Sequence, residues 1–358
     1  MKRNLSVEIA RIIACIQVIC VHVCLPMVDN GNFSFLRGIF AGICADGVAV
    51  FWLISGFFMF NNFDYYKTLK RTWKKIIIPL LIVDVLSLFL GDFIFRSVPL
   101  LDSIIHTPKE IFLYFYRILC GFTPESEFAH LWFLRVYVLL MLVSPLIYSF
   151  INYLKEDKIR IRLFMIISIL LMLINDISCN QLFAFSTHSI NGLVPAIIET
   201  VWGYIIFNTD IKDRLFSKKV IIPLGIFIVL NLLRPSIYYV GSLIGFDFSK
   251  IYYWYSSFGL ICGICIILIS RCIGTKIKDE RIVNCFRYIA SKTFTIYILH
   301  MFVYGLLVRV NITNLFSTGN NLINIFIVPI AIALIIVIIV CLILFIKDKL
   351  LKLKKYSG

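Results

Sequence analysis

The sequence predicts an all-α integral membrane protein, a bundle of about ten transmembrane helices with both termini in the cytoplasm. Three observations carry that prediction: an apolar composition, apolar runs of span length that recur along the chain, and basic charge sorted by loop. Of the 358 residues, 60% are hydrophobic and only 15% charged, with a mean hydropathy of +0.93. Soluble domains average about 45–50% apolar and about 25% charged, so the composition implies the bilayer as solvent.

Crossing a hydrocarbon core of about 30 Å takes roughly 17 to 25 apolar residues. Runs of that kind fall near residues 6–27, 38–61, 76–95, 131–151, 161–178, 190–208, 219–240, 252–272, 288–310 and 322–346. Pro145, Pro195 and Pro329 lie inside such runs and mark candidate kinks, because neighbouring helices can satisfy the freed carbonyls. The first run is not read as a cleaved signal peptide. Glu8, Arg11, Gln17 and His22 interrupt it, and no A-x-A-like site follows. The longest loop, from about Arg96 to His130, is expected to face outward and to admit an outer substrate. Within it, KEIFLYFYRILCGF (109–122) is amphipathic and suits a helix lying in the membrane interface.

The net charge of +15 raises nucleic acid as a partner, but its distribution points elsewhere. With the N-terminus inside, 27 of the 35 Lys and Arg fall in cytoplasmic segments, including Lys67 to Lys75, Lys155 to Arg162 and Lys212 to Lys219. Arg37, Arg96, Arg117 and Arg234 are among the eight expected at the outer side. That split follows the positive-inside rule, so the charge is assigned to topology and not to nucleic acid.

The eleven cysteines include Cys15, Cys20 and Cys24 within one span, where they serve as small apolar residues. Cys262 and Cys265 form a C-x-x-C inside an apolar helix, without a second pair or a βαβ context, so neither redox chemistry nor a metal is expected there. Zinc-hydrolase, Walker A and dinucleotide-binding patterns are absent.

The first helix holds the residues best suited to chemistry. An ionisable side chain inside a membrane is costly, and SVEIARIIACIQVICVHVCLP carries three. Arg11 and His22 are eleven residues apart, three helical turns plus about 20°, so they share a face about 16 Å apart along the axis. Glu8, one turn before Arg11, is placed to pair with it. Arginine suits phosphate and histidine suits proton transfer near neutral pH. Interfacial anchoring at the two ends of a span accounts for the same residues without chemistry.

Other segments bear on that choice. FWLISGFF (51–58) places Ser55 and Gly56 inside a span, and KRTWKKIIIP (70–79) sets Arg71, Lys74 and Lys75 before Pro79. HLWFL (130–134) brings His130 and Trp132 to the start of a span, and IYILH (296–300) sets Tyr297 and His300 deep within another. In this order they resemble acyltransferase family 3, polytopic membrane proteins that O-acylate cell-surface glycans and related acceptors. The resemblance covers most of residues 5–310, and its most specific part is Arg11, ten residues, then His22. The chain departs from the family at two places. Lys74 stands where an arginine is common, and Ala49 where many members have an acidic residue; no role passes to Asp46, three positions earlier.

The resemblance implies a transferase using an acyl-CoA, acetyl-CoA in particular, as donor substrate, with no tightly bound cofactor and no metal. It casts Arg11, Arg71, Lys74 and Lys75 as donor-binding residues and His22 as the catalytic histidine. Glu8, Ser55, His130, Trp132, Tyr297 and His300 are left as acceptor-binding or supporting residues. The expected acceptor is an exopolysaccharide, wall polymer or lipid-linked sugar, and the expected location a bacterial cell membrane, an Ile-, Lys- and Asn-rich composition pointing the same way. Residues 1–346 form the expected transmembrane domain and 347–358 a short basic tail. No esterase-like or racemase-like domain follows, so outer glycan-synthesis partners are expected to be separate chains. The alternative reading is a transporter of a small acyl compound or amino acid; the inverted repeats that would mark it are not evident.

Overall fold

The computed structural model describes residues 4–28, 35–96, 98–119, 129–177, 192–208, 220–246, 248–252, 255–316, 318 and 320–356. The basic segment Lys212 to Lys219 and part of the long outer loop lie outside them. Thirteen α-helices are described: α1 (Leu5–Val28), α2 (Phe35–Phe60), α3 (Tyr65–Thr72), α4 (Ile78–Phe95), α5 (Leu100–Ile104), α6 (Pro108–Leu119), α7 (Trp132–Lys155), α8 (Lys158–Ile177), α9 (Leu193–Asn208), α10 (Ile221–Leu243), α11 (Ser257–Lys276), α12 (Glu280–Arg309) and α13 (Val328–Tyr356). Among the described residues there is no strand.

Each of the ten expected runs overlaps a helix. Among the described residues, eight helical stretches are long and apolar enough to cross a membrane; α8 and α9 are the two expected spans outside that set. α9 has 16 residues, about 24 Å of helix, and buries twelve of them. It is a helix enclosed by protein, so its length need not match the lipid.

α1 packs against α2, α11, α12 and α13, and α2 also meets α9, α10 and α11, so the first two helices form the centre of the bundle. The α2–α9 crossing is backbone on backbone. A Cβ at Gly56 would stand 1.8 Å from the Thr200 carbonyl oxygen, and one at Gly203 would stand 1.9 Å from that of Leu53. Small residues are what permit such an approach between membrane helices. Outer helices turn Leu81 and Ile82, Ile166 and Ile167, and Ile228 and Val229 outward, faces that suit lipid chains.

Two prolines are each preceded by one turn of π-helix, Trp73–Ile77 before Pro79 and Ile323–Ile327 before Pro329. In both, the residue before the proline bonds five positions back, Ile78 to the Trp73 carbonyl and Val328 to that of Ile323. A proline cannot donate to the carbonyl four residues earlier and its ring crowds it, so widening the turn relieves the clash.

Arg234 does not sit at the outer rim, where the charge count had placed it. It is fully buried within α10, its Nη2 donating to Asp46 Oδ1 of α2 at 2.6 Å. Its Nη1 donates to the Gly42 carbonyl at 2.6 Å and to Asn231 Oδ1 at 2.9 Å. A guanidinium is tolerated at that depth because a carboxylate and two further oxygens replace its water. Arg135 of α7 also meets a carboxylate, its Nη2 donating to Asp84 Oδ1 of α4 at 2.9 Å. The amphipathic α6 is tied to the same region. Its Tyr114 hydroxyl donates to the Asp84 carbonyl at 3.0 Å and contacts Ser87, while His106 before it meets the Leu88 carbonyl at 2.9 Å. The helix is therefore docked on α4 as well as exposing Phe112 and Tyr116.

Candidate functional site

Three histidines from three distant parts of the chain come together. His22 lies near the outer end of α1, His130 in the 3-10 turn Ala129–Leu131 that leads into α7, and His300 within α12. Ring centroids are 5.7 Å apart for His22 and His130, 5.3 Å for His22 and His300, and 4.5 Å for His130 and His300. His130 and His300 are buried and His22 is half-buried.

Tyr297 organises this cluster. It stands one turn before His300 on the same helix face, and its hydroxyl donates to the His130 carbonyl, joining α12 to the α7 turn. The Tyr297 carbonyl in turn accepts from His300 Nδ1 at 2.5 Å. A carbonyl only accepts, so Nδ1 carries the proton and Nε2 of the neutral ring is the bare nitrogen. His300 Nε2 is buried and has no hydrogen-bond partner. Among the described residues, no group of His, Cys, Asp or Glu is arranged to hold a metal ion.

At the other end of α1, Arg11 contacts Glu8 at 3.5 Å and keeps about a quarter of its side chain exposed, 24%. Its guanidinium lies 5.2 Å from the Phe58 ring centroid. Arg71, Lys74 and Lys75 are exposed on α3 and the π turn after it, which Asp64 caps by accepting from the Lys67 backbone at 3.0 Å.

A run of aromatic rings leads inward from the histidine cluster. Tyr137 stacks on Trp52 at 6.1 Å, Trp52 meets Phe133 at 4.4 Å, and Phe133 meets Tyr297 at 5.7 Å, with Phe51 alongside. Trp132 packs against Phe133 at 6.1 Å, on the edge of this wall. Ser55 takes no part in the histidine cluster through its hydroxyl, which donates to the Phe51 carbonyl one turn back at 2.7 Å.

The family model for the acyltransferase domain matches residues 4–346, nearly the whole chain. The chain belongs to acyltransferase family 3. No curated protein and no solved structure matches it. It is accordingly a multi-pass membrane acyltransferase. The sequence did not single out Asp46, Arg234, Asp84, Arg135 or Glu199. Asp46, Asp84 and Glu199 had one visible signal, a carboxylate within an apolar run. Their partners, where they have them, lie on other helices.

Proposed function

We propose that the protein transfers an acyl group, acetyl in the first instance, from cytoplasmic acyl-CoA to a hydroxyl of a glycan or lipid-linked sugar at the outer face of a bacterial cell membrane. The observation that carries the reading is the arrangement along α1. Arg11 of α1 and Arg71 of α3 lie toward the cytoplasmic end, the three imidazoles meet at the outer end, and aromatic rings lead inward from them.

Arg11 and Arg71, with Lys74 and Lys75 at the rim, hold the donor phosphates by charge-assisted hydrogen bonds. The acyl-bearing arm then extends along the aromatic wall toward His22, over the about 16 Å that eleven helical residues span. In direct transfer, His22 takes the proton of the acceptor hydroxyl as the oxygen bonds to the thioester carbonyl carbon. The carbon–sulfur bond breaks, and the departing thiolate receives that proton from the imidazolium, leaving an ester, free CoA thiol and neutral His22. In the two-step route the imidazole nitrogen takes the acyl group first, expelling the thiolate; the hydroxyl oxygen then displaces the imidazole, and its proton ends on the thiolate. Both routes give the same products. His130 and His300 position His22 and the acceptor, and Trp132 offers a flat face to a sugar ring.

The test uses protein in liposomes, labelled acetyl-CoA on one side and a candidate glycan on the other. Label is expected on the glycan with wild-type protein and not with His22→Ala. Arg11→Ala is expected to raise the KM for acetyl-CoA about tenfold or more, since ionic hydrogen bonds are each worth roughly 1.5–3 kcal/mol. Normal glycan labelling by a folded His22→Ala variant would overturn the role of His22. Saturable uptake of a small solute without donor cleavage would replace transfer by transport.

A further inference from the structure

A cavity of about 450 Å³ opens at the cytoplasmic end of the bundle, apart from the histidine cluster and from Arg71, Lys74 and Lys75. It forms where the start of α1 meets the ends of α2, α9 and α11. Its lining is unusual for a membrane helix bundle, combining carboxamides with aromatic rings: Asn61, Asn208 and Asn4, with Phe57, Phe207 and Arg271. Among the described residues, no carboxylate lines it. A solvated gap between helix ends would account for the polar side chains but not for the two rings, which pack on each other at 4.7 Å to form one wall.

We propose that this cavity binds the adenine end of the acyl-CoA donor, an inference that rests on the acyl-CoA reading above. The volume lies within the range of small-molecule sites. An adenine presents adjacent donor and acceptor atoms on its edges, the pattern a carboxamide matches with its paired oxygen and amino group. Its flat face suits stacking on phenylalanine. Asn208 Nδ2 is buried and has no hydrogen-bond partner, a donor that a purine nitrogen would satisfy. Arg271 brings a guanidinium, the group best shaped for a phosphate, to the same cavity.

The proposed phosphate site is a near neighbour of the cavity wall. Phe57 of its wall meets Phe58 at 4.9 Å, and the Arg11 guanidinium lies over the Phe58 ring. Base, phosphates and thioester arm then follow one another from the cavity, past Arg11, to the aromatic wall. The donor is held at both ends, and the cavity selects it by its nucleotide and not by its acyl group.

The experiment compares acetyl-CoA with acetyl-phosphopantetheine, which keeps the thioester arm and lacks the adenosine, as substrates of the full-length protein in nanodiscs. Wild type is expected to favour acetyl-CoA in kcat/KM by tenfold or more, and Asn208→Leu and Asn61→Leu to cut that preference at least fivefold. Adenosine 3′,5′-bisphosphate is expected to compete with acetyl-CoA on wild-type protein at least tenfold better than its guanosine counterpart. That comparison needs no variant and stands if a substitution prevents folding. Equal use of the two donors by wild type, or equal inhibition by the two bisphosphates, overturns the adenine assignment while leaving the acyl-CoA reading in place. Cleavage of neither thioester by wild-type protein overturns the acyl-CoA reading itself.

Discussion

The pair Asp46–Arg234 and the cluster His22–His130–His300 are both polar groups placed among apolar helices, and they differ in where their hydrogen bonds go. The Arg234 guanidinium places both Nη groups within the protein, on Asp46, the Gly42 carbonyl and Asn231, and leaves Nε and Asp46 Oδ2 unbonded. The imidazoles instead face one another at 4.5 to 5.7 Å, and His300 leaves Nε2 buried and unbonded. Both sites bear a desolvation cost. The first recovers much of it through an ion pair and two further hydrogen bonds between helices and so serves the fold, whereas the second brings three imidazoles together with no opposite charge among them.

That contrast predicts opposite phenotypes. The largest effect is expected for His22→Ala, a fall in transfer of about 10²–10⁴-fold, the range for losing a positioned general base, at normal abundance and thermal midpoint. Reduced abundance with normal turnover per folded molecule would assign His22 to the structural class instead. Next comes Arg234→Met, which leaves Asp46 buried without its cation and is expected to cost about 3–5 kcal/mol of stability. The double variant Asp46→Leu with Arg234→Met is expected to recover most of that loss; if it is no more stable than the single variant, the pair is not what holds α2 to α10.

Gly56→Val tests packing with no charge involved. Its side chain would drive into the Thr200 carbonyl, and separating α2 from α9 is expected to cost about 1–3 kcal/mol, read as a lower midpoint in detergent. An unchanged midpoint would mean that the crossing opens freely. The smallest effect is expected for Tyr297→Phe, which removes one hydrogen bond to the His130 carbonyl, about 1 kcal/mol, and lowers transfer roughly fivefold through looser placement of His130. Wild-type turnover in that variant would show that the α7 turn is held by packing alone.

The sequence made the helices legible because spanning a bilayer imposes a length and a composition that any single segment must meet on its own. It made the Arg11–His22 relation legible because both lie on one helix, where spacing is geometry. It did not show that α9 is enclosed, since a short apolar run reads the same against protein as against lipid. Nor did it show that α6 docks on α4, because amphipathicity marks a helix with two faces without naming what either face meets. The misplacement of Arg234 has the same origin: charge counting sorts cations by loop and has no means of finding a carboxylate on another helix.

By itself, then, the chain determined an all-helical membrane protein with a cation and an imidazole on one stripe of its first helix, because those are properties of local pattern. Only the tertiary structure brought His130 and His300 to His22, matched Arg234 with Asp46, and opened a carboxamide-lined cavity at the cytoplasmic end. Contacts between helices depend on which faces pack, and in a bilayer packing is set by small residues and hydrogen bonds between segments far apart in sequence.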